Sequence, residues 1–318
     1  MTAGADDLRR ISEHLARQGT TSWVPTLVPA SAAEYKQAVG AIEDSMRSQK
    51  TDGNSQSRIL GVHYEGPFVN GEQCGALHRE HFRTFESEHA LNSLPRILNE
   101  TAVHVMTVAP EIDGGIDLVS ELHRRAWIIS LGHTRAAPEI LDRARAAGAR
   151  HMTHFMNAMS PLHHRAPGPI GWGLLNDDVT VDLIADGVHI DPLMLKVLLR
   201  CVTPARLTLI SDAIAAAGQG DGDYEIWGET ISVKDGRTRN AQGSIAGSVI
   251  GMRDAVRMMM SLGASECAAA RMASTNPARL LGIDHDCGSI EAGKRADLVA
   301  INPKGEAQLT IIGGKVVA

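Results

Sequence analysis

The stretch VTVDLIADGVHIDPLMLKVLLRCVTPARLTLISD, residues 179–212, holds two short apolar runs with a longer helical pattern between them. The runs are VTVDLIA (179–185) and RLTLIS (206–211), and each has the length of one buried strand. Between them, DPLMLKVLLRCV repeats apolar residues at three- and four-residue spacing, which predicts an amphipathic helix. The order strand, helix, strand predicts two parallel strands joined by a helical crossover.

The same alternation extends through the preceding chain, where helical patterns such as APEILDRARAAGA separate further apolar runs. These runs are SWVPTLV (22–28), RILGVHY (58–64), AVHVMTV (102–108), AWIISL (126–131) and ARHMT (149–153). Strands spaced in this way for parallel pairing predict an α/β fold of the (β/α)8 TIM-barrel type. An open doubly wound sheet is the alternative, although no GxGxxG motif follows a predicted strand. Because the chain opens on a helix, residues 5–18, we expect the first barrel strand to be missing.

The pattern changes after residue 213. The segment GDYEIWGETISVKDGRTRNAQGSIAG has the character of a β-hairpin with a turn at Asp235-Gly236, and helices are predicted from about 249 to 281. The final segment, 288–318, consists of short strands joined by Gly-rich turns and predicts a small C-terminal β appendage, a partial β-sandwich. We therefore expect an incomplete hydrolase barrel over residues 1–284 and the remnant of a β-sandwich domain over 285–318.

The composition is typical of a globular protein, with 43% hydrophobic and 21% charged residues and a formal net charge of -6. The scattered arginines and the negative charge argue against nucleic acid as a partner. The N-terminus is charged, and no uncharged apolar run approaches the ~20 residues of a membrane span, so we expect no membrane association and a cytoplasmic location. The four cysteines lie far apart without a CxxC pair, which argues against a disulfide framework and a zinc ribbon.

Ionisable residues follow five of the predicted strands. They are Glu65, His133, His154, His189 and Asp212. A parallel barrel gathers the carboxyl ends of its strands at one rim, so five such residues at equivalent positions predict a site, although each alone is better explained by a solvated loop. Two imidazoles and one carboxylate form a common zinc shell, and Glu65, His133 and His154 supply that set. Asp212 is then free to act as a base.

The alternation of side chains along a strand separates the neighbouring histidines. It places His154 on the same face as Met152 and points His151 toward the helix layer, so His151 is predicted to be structural. By the same rule, His63 shares the face of Glu65 one layer deeper, where we expect a hydrogen-bond partner of the site rather than a ligand.

Several segments together resemble the signature segments of N-acetylglucosamine-6-phosphate deacetylases, a branch of the amidohydrolase superfamily. They are GVHYEGPFVN (61–70), LGHT (131–134), THFMNAMSPLHHRAPGPIG (153–171), ADGVHID (185–191), SDA (211–213) and GSIEAGKRADLV (288–299). The resemblance runs from about residue 19 to the C-terminus. The order EGPF, THxxNAM, DGVH is far more specific than any of these pieces alone.

The resemblance implies a role for each site residue. The metal ligands it implies are Glu65, His133 and His154. The catalytic residues it implies are Asp212 as general acid and base and His78, in CGALH, facing the substrate carbonyl. The residues it implies for the sugar phosphate are Asn157, Ala158, Arg165 and His189. From its loop position alone, Arg165 could clamp an anion or be an ordinary surface arginine. The resemblance further implies a homodimer in which the arginine loop reaches the neighbouring site.

The activity implied is hydrolysis of a linear amide, which converts N-acetylglucosamine 6-phosphate to glucosamine 6-phosphate and acetate in amino-sugar catabolism. A divalent metal that lowers the pKa of water toward ~7 suits this reaction, because an amide is a poor electrophile. One such ion is expected, zinc in the first place with iron as the alternative. Two other functions stay open: a non-catalytic or weakly active truncated relative that binds sugar phosphates, and another amidohydrolase such as a dihydroorotase or deaminase.

Overall fold

The protein is described by a computed structural model over residues 4–51 and 56–318. The first nine strands are β1 (Ser22–Trp23), β2 (Thr26–Leu27), β3 (Arg58–Ile59), β4 (Gly61–Glu65), β5 (Val103–Val108), β6 (Ile128–Leu131), β7 (His151–Met152), β8 (Thr180–Ile184) and β9 (Leu207–Ile210). Seven parallel strands within the described ranges form one sheet, in the order β2-β4-β5-β6-β7-β8-β9. This sheet fits a TIM-like barrel, and it contains one strand from each of the seven apolar runs.

An α-helix lies between most consecutive strands of the parallel sheet, as the alternation predicts, but β4 and β5 are joined by three short 3-10 turns instead. The helices are α1 (Ala5–Arg17), α2 (Ala32–Thr51), α3 (Gly115–Arg124), α4 (Pro138–Ala146), α5 (Gly168–Leu175), α6 (Pro192–Cys201), α7 (Met252–Ser261), α8 (Glu266–Ala270) and α9 (Asn276–Leu280), with a π-helical turn at Arg271–Thr275. In α3, Leu118 and Leu122 are fully buried on the face that packs against β6. None of the described helices is both long and apolar enough to cross a bilayer.

Alternate residues of the strands face two different layers. The fully buried side chains of the strands belong to the hydrophobic core shared with the helices, and include Tyr64, Met106, Leu131, Met152 and Leu183. The alternate side chains line a central cleft, and include His63, Ser130, His151, Thr153, Asp182 and Thr208. Polar side chains outnumber the apolar ones in this second set, which also contains Val105 and Ile184, so the interior of the sheet is suited to holding a site.

The predicted orientation of β7 is wrong. Met152 packs toward α5, where its sulfur would lie 2.7 Å from a Cβ placed on Gly173, whereas His151 lines the cleft and its Nε2 lies 3.0 Å from the carboxylate of Asp182. The strand is regular over two residues, and His154 beyond it has a φ of 29°. The period-two alternation therefore cannot be extended from Met152 to His154.

The run at residues 22–28, predicted as one strand, is divided. Its first part, β1, pairs with β3, and its second part, β2, pairs with β4. Pro25 lies between the two parts and has no backbone N–H to donate, which explains the break in the ladder. Within the described residues, β2 pairs with β4 alone and β9 with β8 alone, so these two strands are the edges of the seven-stranded sheet.

Two antiparallel sheets follow the parallel one in the described chain. The first consists of β10 (Gly222–Ile226), β11 (Glu229–Lys234) and β12 (Arg237–Arg239), which confirms the predicted hairpin with its turn at Asp235-Gly236. The second consists of β13 (Leu298–Ile301), β14 (Ala307–Ile312) and β15 (Lys315–Val316). The assignment of this second sheet to a β-sandwich, and the domain boundary at residue 284, stay predictions.

Candidate active site

Three side chains from the carboxyl ends of three strands of the parallel sheet form a compact triangle. Glu65 is the last residue of β4, His133 follows β6, and His154 follows β7. Their donor atoms are Glu65 Oε1 and the two Nε2 atoms, at 3.0 Å from Glu65 to His133, 3.1 Å from Glu65 to His154 and 3.0 Å between the histidines. The sequence predicted this set, and it is a group of the described residues that could hold a metal ion.

The donor set fits a small divalent cation. With roughly 2.0–2.1 Å from a zinc ion to each donor, tetrahedral geometry separates the donors by about 3.3 Å. The triangle is only slightly tighter than this value. The ring of His133 is also prepared for a ligand, because its Nδ1 donates to the carbonyl oxygen of Gln73 at 2.7 Å, which orients Nε2 toward the centre of the triangle.

The backbone is strained where the strands end at the site. His133, His154 and Asp212 have φ values of 48°, 29° and 49°, in a region that non-glycine residues seldom occupy. Such conformations cost on the order of 1–3 kcal/mol each and persist only where the surrounding structure holds them. Each of the three follows the last residues of a barrel strand, so the strain turns each side chain toward the cleft rather than along the sheet.

Charge is concentrated inside the triangle. Burial favours the neutral form of Glu65, but its hydrogen bonds with His133 and His154 hold its pKa well below the usual range. Burial would lower the pKa of His154, but the hydrogen bond to Glu65 and the negative charge of that residue raise the pKa to about 9. With the charges of this chain alone, the carboxylate is therefore ionised and bonded to a protonated imidazole. A cation bound there must displace that proton.

Asp212 follows β9 and lies beside the triangle. Its main-chain carbonyl accepts from the N–H of Ser248 at 2.8 Å, which fixes the residue against the chain that leads into α7. Burial, and then the negative charge of Glu65, raise the pKa of Asp212 to about 6, while His154 and His189 oppose the increase. A carboxyl group with this pKa is ionised at neutral pH and regains a proton easily, as a general base requires.

A single cleft of about 2470 Å³ unites most of the residues proposed from the sequence. Its lining includes Glu65, His78, His133, His154, Asn157, Ala158, His189 and Asp212. Arg165 is not part of that lining. It lies in the exposed loop 161–167, where its guanidinium contacts His164 Nε2 at 2.9 Å. Within one chain the structure therefore separates Arg165 from the other predicted residues.

Several contacts that orient the site residues escaped the sequence analysis. Asp186 accepts from the main-chain N–H of His189 and from its Nδ1, at 2.8 and 2.7 Å. This residue could have been found, because it stands at the end of a predicted strand in the same ADGVH segment. Glu229 lies 3.5 Å from Nε2 of His78. Because β11 carries Glu229 in from a distant part of the chain, no spacing in the sequence indicates that contact.

Comparison with known proteins agrees with this arrangement. A model of the amidohydrolase family matches residues 3–317. The chain is 36% identical to the N-acetylgalactosamine-6-phosphate deacetylase of Escherichia coli O157:H7, over 100% of this chain and 83% of the relative. It is 35% identical to the N-acetylglucosamine-6-phosphate deacetylase of Bacillus subtilis (strain 168), over 99% of this chain and 79% of the relative.

Solved structures give the same result. The crystal structure of N-acetylglucosamine-6-phosphate deacetylase from Thermotoga maritima superposes with a TM-score of 0.89 at 34% sequence identity. The match covers 98% of this chain and 83% of that one. The resemblance found in the sequence segments is thereby confirmed over nearly the whole chain. The chain belongs to the amidohydrolase family, among the relatives that deacetylate N-acetylated amino-sugar phosphates.

Proposed function

We propose that this protein hydrolyses the N-acetyl group of N-acetylglucosamine 6-phosphate, giving glucosamine 6-phosphate and acetate. The observation that carries the proposal is the Glu65-His133-His154 triangle beside Asp212, a carboxyl group whose pKa is raised to about 6. N-Acetylgalactosamine 6-phosphate is a second candidate substrate, because a relative with 36% identity is named for that epimer. A non-catalytic binding role is not favoured, since the relatives matched over the full chain are deacetylases.

In this proposal Glu65, His133 and His154 hold one divalent cation, zinc in the first place and iron as the alternative. When bound, the cation supplies Lewis acidity, which lowers the pKa of water and polarises a carbonyl group. Zinc is favoured by the small size of the triangle and by its two imidazole donors.

Asp212 moves the proton in both halves of the reaction. Its carboxylate first accepts a proton from the attacking water while the water oxygen bonds to the amide carbon. The C–N bond then breaks, and Asp212 returns the proton to the departing nitrogen, which leaves as an amine. His78 donates a hydrogen bond to the carbonyl oxygen as negative charge develops there. Glu80, 3.3 Å from its Nδ1, and Glu229, 3.5 Å from its Nε2, help to orient the ring.

The remaining residues hold the sugar phosphate. The side-chain amide of Asn157 is oriented by its Nδ2, which donates to the carbonyl of His154 at 3.2 Å, so we propose that its oxygen accepts from the sugar. His189 is fixed through Nδ1 by Asp186, which leaves its Nε2 for the substrate. Arg165 supplies the phosphate contact. Because its loop is exposed and outside the cleft, we propose that it acts at the site of a second protomer, in a cytoplasmic homodimer.

An assay of acetate release tests the function. The purified 318-residue chain, loaded with zinc, is incubated with each of the two 6-phosphorylated N-acetyl amino sugars. We expect acetate and free amine in equal amounts from N-acetylglucosamine 6-phosphate, and a kcat/KM higher than for the galactose epimer. A higher kcat/KM for the galactose epimer would identify N-acetylgalactosamine 6-phosphate as the preferred substrate. Absence of acetate from both sugars would refute the activity.

Replacing Arg165 tests the phosphate contact. Arg165→Ala is expected to lower kcat/KM for N-acetylglucosamine 6-phosphate by about 10- to 100-fold, because a charge-assisted contact contributes about 1.5–3 kcal/mol. N-Acetylglucosamine without phosphate should be hydrolysed by the variant at the wild-type rate. Arg47→Ala is the matched control, since Arg47 is an exposed arginine on α2. Equal losses on both sugars would count against the phosphate role.

We also propose that the barrel sheet accepts one further parallel strand between β2 and β9, at the position of the expected first strand. Two features support this. Both strands are sheet edges within the described residues, and unpaired edges expose backbone groups that invite another strand. The cleft runs between them and is lined by Trp23 to Leu27 on one side and by Thr208 to Ile210 on the other.

An added strand should therefore raise stability and turnover together. We expect an N-terminal extension that supplies one β-strand to increase Tm by several degrees, since about 1 kcal/mol shifts Tm of a protein this size by roughly 2–4 °C. Asp212 follows the edge strand β9, so its placement should improve and kcat should rise. A Gly/Ser-rich extension of equal length is the control. A chain of 318 residues that is already thermally robust and fully active would contradict this proposal.

A further inference from the structure

The two histidines of the triangle are held in different ways. The ring of His133 is tied by its Nδ1 to the carbonyl oxygen of Gln73. The ring of His154 has no comparable tie, because its buried Nδ1 has no hydrogen-bond partner among the described residues. The position of the His154 ring therefore depends on its main chain, which has a φ of 29°.

The main chain of His154 leaves the regular ladder of the sheet. The register between β7 and β8 pairs His151 with Thr180 and Met152 with Val181, and no paired residue follows. At the next residue of β8, the carbonyl oxygen of Asp182 accepts from the N–H of Phe155 at 2.9 Å. The N–H of His154, between these positions, donates instead to Oδ1 of the Asp182 side chain. Asp182 thus accepts from two successive amides at the bend.

Asp182 is itself held on its other oxygen. Its Oδ2 lies 3.0 Å from Nε2 of His151 and accepts from the hydroxyl of Thr153 at 3.4 Å. The ring of His151 also contacts the hydroxyl of Thr180 through Nδ1 at 2.8 Å. The residues His151, Thr153 and Asp182 are all buried, with 2%, 4% and 6% of each residue exposed. The carboxylate therefore has one fixed orientation, with Oδ1 directed at the N–H of His154.

We infer that Asp182 is a positioning residue that holds the metal ligand His154 through its main chain, with His151 as the anchor of Asp182. The inference rests on the proposed metal site but not on the deacetylase reaction. A buried carboxylate is not needed to pack the barrel interior, and this role explains why one is present at Asp182. Burying a carboxylate on a strand costs free energy unless the group is paired. Here Asp182 is paired with His151, and it also fixes the main chain of the ligand His154. Loss of outer partners of metal ligands typically weakens metal affinity by about 10- to 100-fold.

Cobalt(II) affinity, measured by competition with a chromophoric chelator and without substrate, tests the inference. Asp182→Val removes the acceptor with a residue that suits a strand, and we expect cobalt(II) to bind about 10- to 100-fold more weakly. The d–d absorption bands of bound cobalt(II) should also shift, because they report the geometry of the ligands. Asp182→Asn keeps an acceptor oxygen at Oδ1. Its affinity for cobalt(II) should lie within about threefold of wild type, a much smaller loss than that expected for Asp182→Val.

Thr208→Val is the matched control. Thr208 is buried in the same cleft, and its hydroxyl has no hydrogen-bond partner among the described residues, so the change perturbs the interior without removing a hydrogen bond that the structure shows. Wild-type affinity in Asp182→Val, or an equal loss in Thr208→Val, would overturn the inference. Should Asp182→Val fail to fold, Asp182→Glu displaces the carboxylate by one methylene and retains the charge. Unchanged affinity and unchanged bands in Asp182→Glu would then overturn it.

The same measurements keep this inference separate from the proposed function. A wild-type chain that binds cobalt(II) but releases no acetate would refute the deacetylase activity, and the loss of affinity in Asp182→Val would still support the positioning role. An active wild-type chain whose cobalt(II) affinity does not respond to Asp182→Val would refute the positioning role alone.

Discussion

Asp212→Asn is expected to lower kcat for N-acetylglucosamine 6-phosphate by at least about 100-fold, in the range that general acid-base catalysis contributes. The amide side chain has nearly the shape of the carboxylate but cannot accept the proton of water or return it to the leaving nitrogen. The pKa of Asp212 is about 6 with the charges of this chain alone, and a divalent cation beside it favours the ionised form. In the wild-type protein, kcat/KM should therefore fall as pH falls, with its acidic limb at or below pH 6.

The variant separates the base from the metal ligands. Metal content, measured by elemental analysis, should equal that of the wild type, because the triangle of Glu65, His133 and His154 is complete without Asp212. Asp177→Asn makes the same chemical change at an exposed carboxylate and should leave kcat unchanged. More than about a tenth of the wild-type rate in Asp212→Asn, with full metal content, would exclude Asp212 as the base, since general acid-base catalysis contributes at least about 100-fold.

The convergence of the site residues was predictable because it depends on one regularity. Apolar runs alternating with helical patterns predict parallel strands, and parallel strands place all of their carboxyl ends on the same rim. Glu65, His133 and His154 follow three such runs, so their proximity needed no knowledge of loop conformation. The observed donor separations of 3.0–3.1 Å confirm the proximity that this reasoning predicts.

Side-chain direction within the short strands was not predictable in the same way. The alternation rule holds while the backbone is extended, but β7 is extended over two residues and His154 already has a positive φ. The rule therefore assigned His151 to the wrong layer. The division of residues 22–28 at Pro25 has a related cause, since the gap in the ladder depends on which neighbours each half meets in the folded sheet.

Two of the contacts that orient the metal-ligand candidates join distant parts of the chain. The carbonyl of Gln73 supports His133 across 60 residues, and the carboxylate of Asp182 supports His154 across 28. Main-chain carbonyls and single carboxylates leave no spacing pattern, so such partners emerge only from the packed structure. A strained backbone at a strand end is the structural sign of these sites, because an uncommon φ persists only where other groups hold it.

Glu65→Gln is expected to remove both the metal and the activity. Glu65 is the sole carboxylate among the three described ligands, and it contacts both imidazoles, at 3.0 and 3.1 Å. A neutral amide oxygen is a much weaker ligand for zinc than a carboxylate, which the proposed site requires. Elemental analysis should find well under one ion per chain, and acetate release should fall to background. Glu88→Gln, at an exposed glutamate, should change neither quantity.

The same substitution should alter how the stability of the chelated protein depends on pH. The folded pKa of His154 is raised from 6.5 to about 9, mainly by Glu65 acting against burial. A raised pKa contributes stability that is fully present below pH 6.5 and is lost as pH rises through 9. The Tm of the chelated wild type should therefore decline from pH 6.5 to 9 relative to chelated Glu65→Gln, which lacks the ion pair. Parallel Tm curves for the two proteins across this window would show that Glu65 does not hold a protonated His154. Full metal content in Glu65→Gln would show that Glu65 is not a ligand.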